Sequence, residues 1–389
     1  MFLGLPATVA YVSPWNEPFE ARFRALTARP RRIAYYYSVP DNSTFRYRCH
    51  NMVQTTNAFS PDTSAAWFAR EDGERINRVI DAADVLVLNR VQFDSEVARM
   101  IARARRRGVR ILFDVDDLVF NVANIELLIY ALNADARNET TWNYWYSYVG
   151  RIGATLRLCD GAITTNDFLA HQIAQDTGLP VTVVPNYLNR EQEEISAAIT
   201  AVKQRTGWAR DQRIHIGYFS GSPSHARDFD IVAPTLAELL HKHPSLTLRL
   251  VGMLDPHPAL APLIARIERH PFTDFINLQR LVGSTEINIA PLQDNVFTNS
   301  KSELKYFEAS AVGTITIASS VFTFRNAIHN GVTGFLANEL EWKHRIEAAI
   351  ALVGTDGYAR MAMASCHEVL ERYASAHQWP AIERAVFGT

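Results

Sequence analysis

Lys301, Lys305 and Glu308 lie within residues 299–313, NSKSELKYFEASAVG, at a spacing that puts them on one face of a helix. Two cations and an acid converging in this way suit a nucleotide diphosphate. The ammonium groups would meet the phosphates, and the carboxylate would accept both ribose hydroxyls. Ser300 and Ser302, on either side of Lys301, are further donor-side candidates. An exposed lysine pair relieved by a glutamate is the plain alternative. Against it, Leu304, Phe307, Ala309 and Ala311 make the segment too apolar for a merely solvated face.

Residues 217–228, GYFSGSPSHARD, offer a second place for phosphate. Gly221 and Ser222 let backbone N–H groups come close, the following helix N-terminus favours negative charge, and His225 and Arg227 add donors. A simple turn, with Ser224 or Asp228 capping the helix, explains the same residues without a ligand. In residues 43–48, STFRYR, Arg46 and Arg48 stand in a loop and helix start after a strand, where they could touch a phosphate; surface arginines beside buried Phe45 and Tyr47 are the alternative. Arg90, Asp116 and Asp117 are further candidates, Asp116 also for the chemistry.

Residues 113–120, FDVDDLVF, admit three readings. Asp114 and Asp116 resemble the nucleophile pair of haloacid dehalogenase-like, magnesium-dependent phosphatases. They could instead face an acceptor, or Asp117 could cap a helix. Leu118 and the mid-chain position depart from the phosphatase pattern. Trp142, Tyr144, Trp145, Tyr146 and Tyr148 could stack on sugar rings, meet a membrane interface or simply pack a helix onto its domain. The basic run 103–110 precedes or surrounds Gly108, where cations at a helix end contribute roughly 0.3 to 1 kcal/mol each; contact with anionic lipid is the other reading.

These residues must be held by a framework. The apolar runs 33–37, 84–88, 109–115, 161–165 and 181–185 alternate with helical spacing, as in a parallel α/β sheet. A second series begins at 214–219 and continues with 246–251, 275–278 and 287–290, before helices at 324–329, 341–353 and 358–373. Residues 8–12 read as a short strand. At 389 residues the chain exceeds the size of a single growing core, so two domains are expected. The expected division is an N-terminal extension at 1–30, a Rossmann-like domain at 31–190, a connector at 191–212, a second Rossmann-like domain at 213–360, and a helical segment at 361–389 crossing back. The net charge of −2 argues against a general nucleic-acid binder. Cys49, Cys159 and Cys366 form no CxxC pair, and no histidine pattern points to a metal. A cytoplasmic protein is expected, with peripheral contact at the inner face of a membrane left open, because no apolar run approaches bilayer length.

EASAVG from Glu308, the strand TITIAS, and GVTGFLA from Gly331 resemble the C-terminal domain of the retaining glycosyltransferases of family 4, or group 1. Residues 160–165 and 183–186 extend the resemblance upstream. It implies a GT-B fold, two Rossmann-like domains with parallel sheets facing a central cleft. It also implies hexosyl- or deoxyhexosyl-type transfer (EC 2.4), with retention, from a UDP-, GDP- or dTDP-linked sugar to a glycan or lipid-linked hydroxyl acceptor. Cell-surface polysaccharide, lipopolysaccharide or glycolipid assembly would be the setting. In that reading 213–360 is the donor domain and 31–190 the acceptor domain, Glu308 contacts the ribose, Lys301, Lys305, Arg227 and His225 hold the diphosphate, Arg46, Arg48, Arg90, Asp116 and Asp117 face the acceptor, and no cofactor or metal is required. The family's paired glutamates have seven residues between them, and the first position holds Ser300 here. Two alternatives follow from the same residues: the phosphatase centred on Asp114 and Asp116, or a catalytically degenerate nucleotide-sugar binding module.

Overall fold

The computed structural model describes residues 1–41, 43–221, 226–254 and 257–388. The strands of the first half are β1 (Arg31–Tyr37), β2 (Thr63–Ala69), β3 (Val85–Asn89), β4 (Arg110–Asp114), β5 (Gly161–Thr164) and β6 (Val181–Val183). They form one parallel sheet in the order β2-β1-β3-β4-β5-β6. Tyr35 of β1 aligns with Trp67 of β2 on one side and Val87 of β3 on the other. β2 and β3 are buried along their whole length because helices cover both faces, and this is why parallel strands read as unbroken apolar runs.

The second sheet contains β7 (Ile214–Ser220), β8 (Leu246–Gly252), β9 (Ile267–His270), β10 (Ile287–Ala290), β11 (Ile315–Ser319) and β12 (Phe335–Ala337), again all parallel, in the order β12-β11-β10-β7-β8-β9. Each sheet winds outward in both directions from its first strand. The winding reverses between β1 and β3 in one sheet and between β7 and β10 in the other, and such reversals open a crevice beyond the carboxyl ends of the strands.

Two strand expectations fail. Residues 275–278 belong to the helix Phe275–Gly283, whose first turn is capped by Asp274 accepting from the N–H groups of Ile276 and Asn277. The third strand of that sheet is instead Ile267–His270, sequence IERH, a polar edge strand that a search for apolar runs passes over. Residues 8–12 form no strand; the backbone N–H and C=O of Val9 are both held by the side-chain amide of Asn277.

The first sixteen residues span the two halves. Phe2 bridges Arg210 and packs on Trp208 and Tyr358 of the second half, whereas Trp15 packs on Phe45 and His50 of the first. The helix Arg190–Arg205 joins the sheets and lies on the helices Phe275–Gly283 and Leu304–Ala311. Its Lys203 is buried, with Nζ donating to the carbonyls of Val312 and Gly313 at 2.6 and 3.1 Å, which satisfies the end of the Leu304–Ala311 helix. After the helix Asp356–Tyr373, the final helix Trp379–Phe387 lies against β6 and the helix Asn51–Phe59 of the first half. Glu383 there pairs with Arg31 at 2.9 Å, and the Val386 carbonyl accepts from Arg110 at 2.8 Å. Among the described residues no helix is long and apolar enough to cross a membrane.

Candidate active site

A cleft of about 410 Å³ opens between the carboxyl edges of the two sheets. On the second-sheet side, β7 ends at Ser220 and delivers Gly221 to the cleft, and β8 ends at Gly252 beside it. Gly252 has φ +96°, and a Cβ there would stand 1.9 Å from the Ser220 carbonyl oxygen, so only glycine fits this close approach. Its role was not foreseen from the sequence, because a lone glycine after a strand carries no distinguishing pattern. Gly221 is exposed at the mouth. Ser222 and His225 lie outside the described residues.

Lys305 sits on the first turn of the helix Leu304–Ala311. Its ammonium lies 4.5 Å from the centre of the Tyr218 ring, is shut off from water, and has no hydrogen-bond partner among the described residues. Desolvation pulls its pKa down to about 8, opposed by the carboxylate of Asp228. The hydroxyl of Ser302 is likewise buried at the cleft wall without a described partner. Lys301 reaches across to Asp117 at 3.5 Å and over the Phe297 ring at 4.4 Å, while its carbonyl accepts from Asn166 at 3.0 Å. The guanidinium of Arg227 stacks 4.0 Å from the centre of the Tyr130 ring.

Glu308 also lines the cleft, although only 7 % exposed. Arg46 and Tyr47 from the first half and Gln192 from the connecting helix all meet it. Nothing in the sequence pointed to Tyr47 or Gln192, which stand 261 and 116 residues away from it in the chain. Ser300 does not face the cleft: it is fully buried, and its hydroxyl donates to the Val296 carbonyl at 2.8 Å. The nearby Glu303 is turned inward too, taken up by Tyr373 and Thr323.

Across the cleft, Arg46 follows Phe45 into a π-helical turn, Arg46–His50. That widened turn aims Arg48 into the sheet rather than toward an acceptor, which corrects the sequence expectation. Arg48 is completely buried and forks Asp114 at 2.8 and 2.9 Å, with Nη1 also donating to the Val184 carbonyl at 2.7 Å. Burial pushes the Asp114 carboxyl up to about 6, with Arg48 pulling against it. Asp114 is therefore spoken for and does not stand free beside Asp116 as a phosphoryl acceptor would. Asp116 instead accepts from Thr44 at 2.9 Å and from Arg90 at 3.2 Å. Arg90 has φ 46°, an uncommon value for a residue with a side chain; the Nη1 that meets Asp116 also reaches Thr44 at 3.1 Å, and Nη2 reaches Tyr148 at 3.4 Å. Of the aromatic run, Trp145 and Tyr148 face the cleft, while Tyr144 and Tyr146 are exposed.

Residues 214–355, which span the second sheet, match the family model for glycosyl transferases group 1. No curated protein sequence matches the chain. Among solved structures, HepE from Anabaena in complex with UDP is 13 % identical, with a TM-score of 0.59, over 90 % of this chain and 98 % of that one. A glycosyltransferase from Rickettsia africae is 13 % identical with a TM-score of 0.59, over 90 % of this chain and 95 % of its own. WaaG, a glycosyltransferase involved in lipopolysaccharide biosynthesis, is 12 % identical with a TM-score of 0.56, over 91 % and 99 % of the two chains. The chain thus has the GT-B fold, two Rossmann-like domains facing a cleft.

Proposed function

We propose that the chain is a retaining glycosyltransferase of family 4 that moves a hexosyl or deoxyhexosyl group from a nucleotide-diphosphate sugar to a hydroxyl acceptor in polysaccharide, lipopolysaccharide or glycolipid assembly. The observation that carries this reading is Lys305, a buried cation without a partner among the described residues, facing the cleft inside the group 1 domain. A lone ammonium is costly to hold away from water, and a diphosphate seated beside it supplies the missing counter-charge. Lys301, Lys305 and Arg227, with His225 and the N–H groups near Gly221 and Ser222, would stabilise the departing diphosphate. Ser302 would add a hydroxyl donor, and Glu308 would take the ribose. Residues 213–360 would form the donor domain and 31–190 the acceptor domain, where Arg90, Asp116 and Asp117 meet a glycan or lipid-linked acceptor. HepE is described in complex with UDP and with UDP-glucose, so UDP is the first nucleotide to try, ahead of GDP and dTDP.

Thermal unfolding with each nucleotide diphosphate tests the proposal, since a ligand bound only by the native state raises the melting temperature. At least one of the three should raise it, and Glu308→Ala and Lys301→Ala should blunt the rise and abolish transfer. No rise with any of them, or unchanged nucleotide affinity in both variants, would overturn the assignment. Transfer or donor hydrolysis by the purified protein separates an enzyme from a binding module. The phosphatase alternative needs Asp114, which Arg48 encloses.

A further inference from the structure

We infer that Tyr47 and Gln192 are positioning residues that set the Glu308 carboxylate for recognition of the donor's ribose, an inference that rests on the proposed function. Three donors converge on one oxygen of Glu308. Arg46 Nη2 stands 3.2 Å from Oε1, the Tyr47 hydroxyl 2.5 Å and Gln192 Nε2 3.0 Å. A carboxylate oxygen offers about two lone-pair sites, so three donors saturate Oε1. No described residue bonds Oε2, and Glu308 lines the cleft, so the oxygen left open is the one available to a ligand.

The donors come from separate parts of the chain. Arg46 and Tyr47 belong to the π-helical turn of the first domain, Gln192 to the connecting helix, and Glu308 to the second domain. Each donor is itself fixed. The Arg46 guanidinium stacks 4.0 Å from the centre of the Tyr47 ring, and the Tyr47 ring meets Phe307 edge-on at 6.2 Å. Gln192 is fully buried, with its own carbonyl accepting from the Asn189 N–H at 3.4 Å. The carboxylate thus acquires its orientation only when the first domain and the connector are docked on the second. Ribose recognition becomes a report of domain closure.

The test compares equilibrium binding of UDP with 2′-deoxy-UDP, and of GDP with 2′-deoxy-GDP, in the wild type and in Tyr47→Phe, Gln192→Ala and Glu308→Gln. A hydrogen bond to a charged group predicts that the wild type prefers the ribonucleotide by about tenfold or more. In Tyr47→Phe and Gln192→Ala the preference should shrink to about threefold or less, while affinity for the deoxynucleotide stays unchanged, as expected when one charged hydrogen bond is loosened and the rest of the site is intact. That unchanged affinity shows the variants are folded. Full retention of the preference in both variants would overturn the positioning role and leave the proposed function standing, as would equal loss of both nucleotides. Failure of the wild type to bind any of the four would overturn the proposed function itself. Full preference in Glu308→Gln would remove Glu308 as the ribose contact and the inference with it.

Discussion

Arg48 in the first domain and Lys305 in the second are both cations withdrawn from water near the carboxyl edge of a sheet, yet among the described residues only Arg48 has an acid within hydrogen-bond distance. Arg48 is locked in a fork with Asp114, and the carbonyl of Val184 and the side-chain oxygen of Asn186 take its Nη1 donors. Lys305 faces a cavity. On the proposed reading the difference separates a charge that holds the fold together from a charge that meets a ligand, and inspection of either residue type in the sequence would not divide them.

The sharpest way to break this comparison is to remove one partner of the closed pair. Arg48→Met leaves the Asp114 carboxyl in the interior without its partner, which should cost about 3 to 5 kcal/mol in denaturant unfolding. An unchanged unfolding midpoint would show that the fork is not structural. Lys305→Met should do the opposite to stability, leaving the midpoint unchanged or raised, because a lone buried cation is replaced by an apolar chain of similar volume. The same variant should weaken nucleotide binding by about tenfold or more, the loss expected for a charged hydrogen bond.

A pH series sharpens the contrast further. With Lys305 titrating near 8 in the free protein, a bound diphosphate favours its protonated form, so nucleotide affinity should fall as pH rises through that value, by at most about tenfold per unit for one proton. The sign for stability is reversed. The folded pKa of Lys305 is depressed below its unfolded value of about 10.4, so between the two the unfolded chain binds more protons and the ligand-free protein gains stability as pH rises. Lys305→Met should flatten both dependences, and a binding profile that keeps its slope in this variant would assign the titration to another group. The smallest effect is expected from Ser302→Ala, about 0.5 to 1.5 kcal/mol in nucleotide binding for one neutral hydrogen bond, with unfolding unchanged.

The strands were legible where burial on both faces leaves an unbroken apolar run, as in β3 and β4. They were not legible at the polar edge, where Ile267–His270 pairs only with β8 and has no need of apolar residues on both faces. Lys305 and Glu308 could be picked out because helical spacing is a local property, whereas Lys301 lies in the bend before the helix Leu304–Ala311 and lines the cleft without sharing that helix. Their partners could not, since the contacts of Tyr47 and Gln192 with Glu308 join residues remote in sequence and depend on how the domains dock. Arg48 misled for a related reason. Its neighbours Arg46 and Tyr47 do reach the cleft, and only the π-helical turn decides which of the three side chains is swallowed by the sheet. Ser300 drew notice as a departure from a pattern, and the structure spends its hydroxyl on a carbonyl one turn earlier.

The strap at residues 1–16 and the final helix Trp379–Phe387 cross in opposite senses, the former seating Phe2 on the second domain and the latter lying on the first. Neither half is therefore assembled from one continuous length of chain. During synthesis the first sheet can form early, but the helix that covers its flank is made only after the second sheet, so that flank stays open until then. Cleavage in the connector would accordingly yield two fragments that each lack a piece of their own surface, and the pair should recover only when mixed.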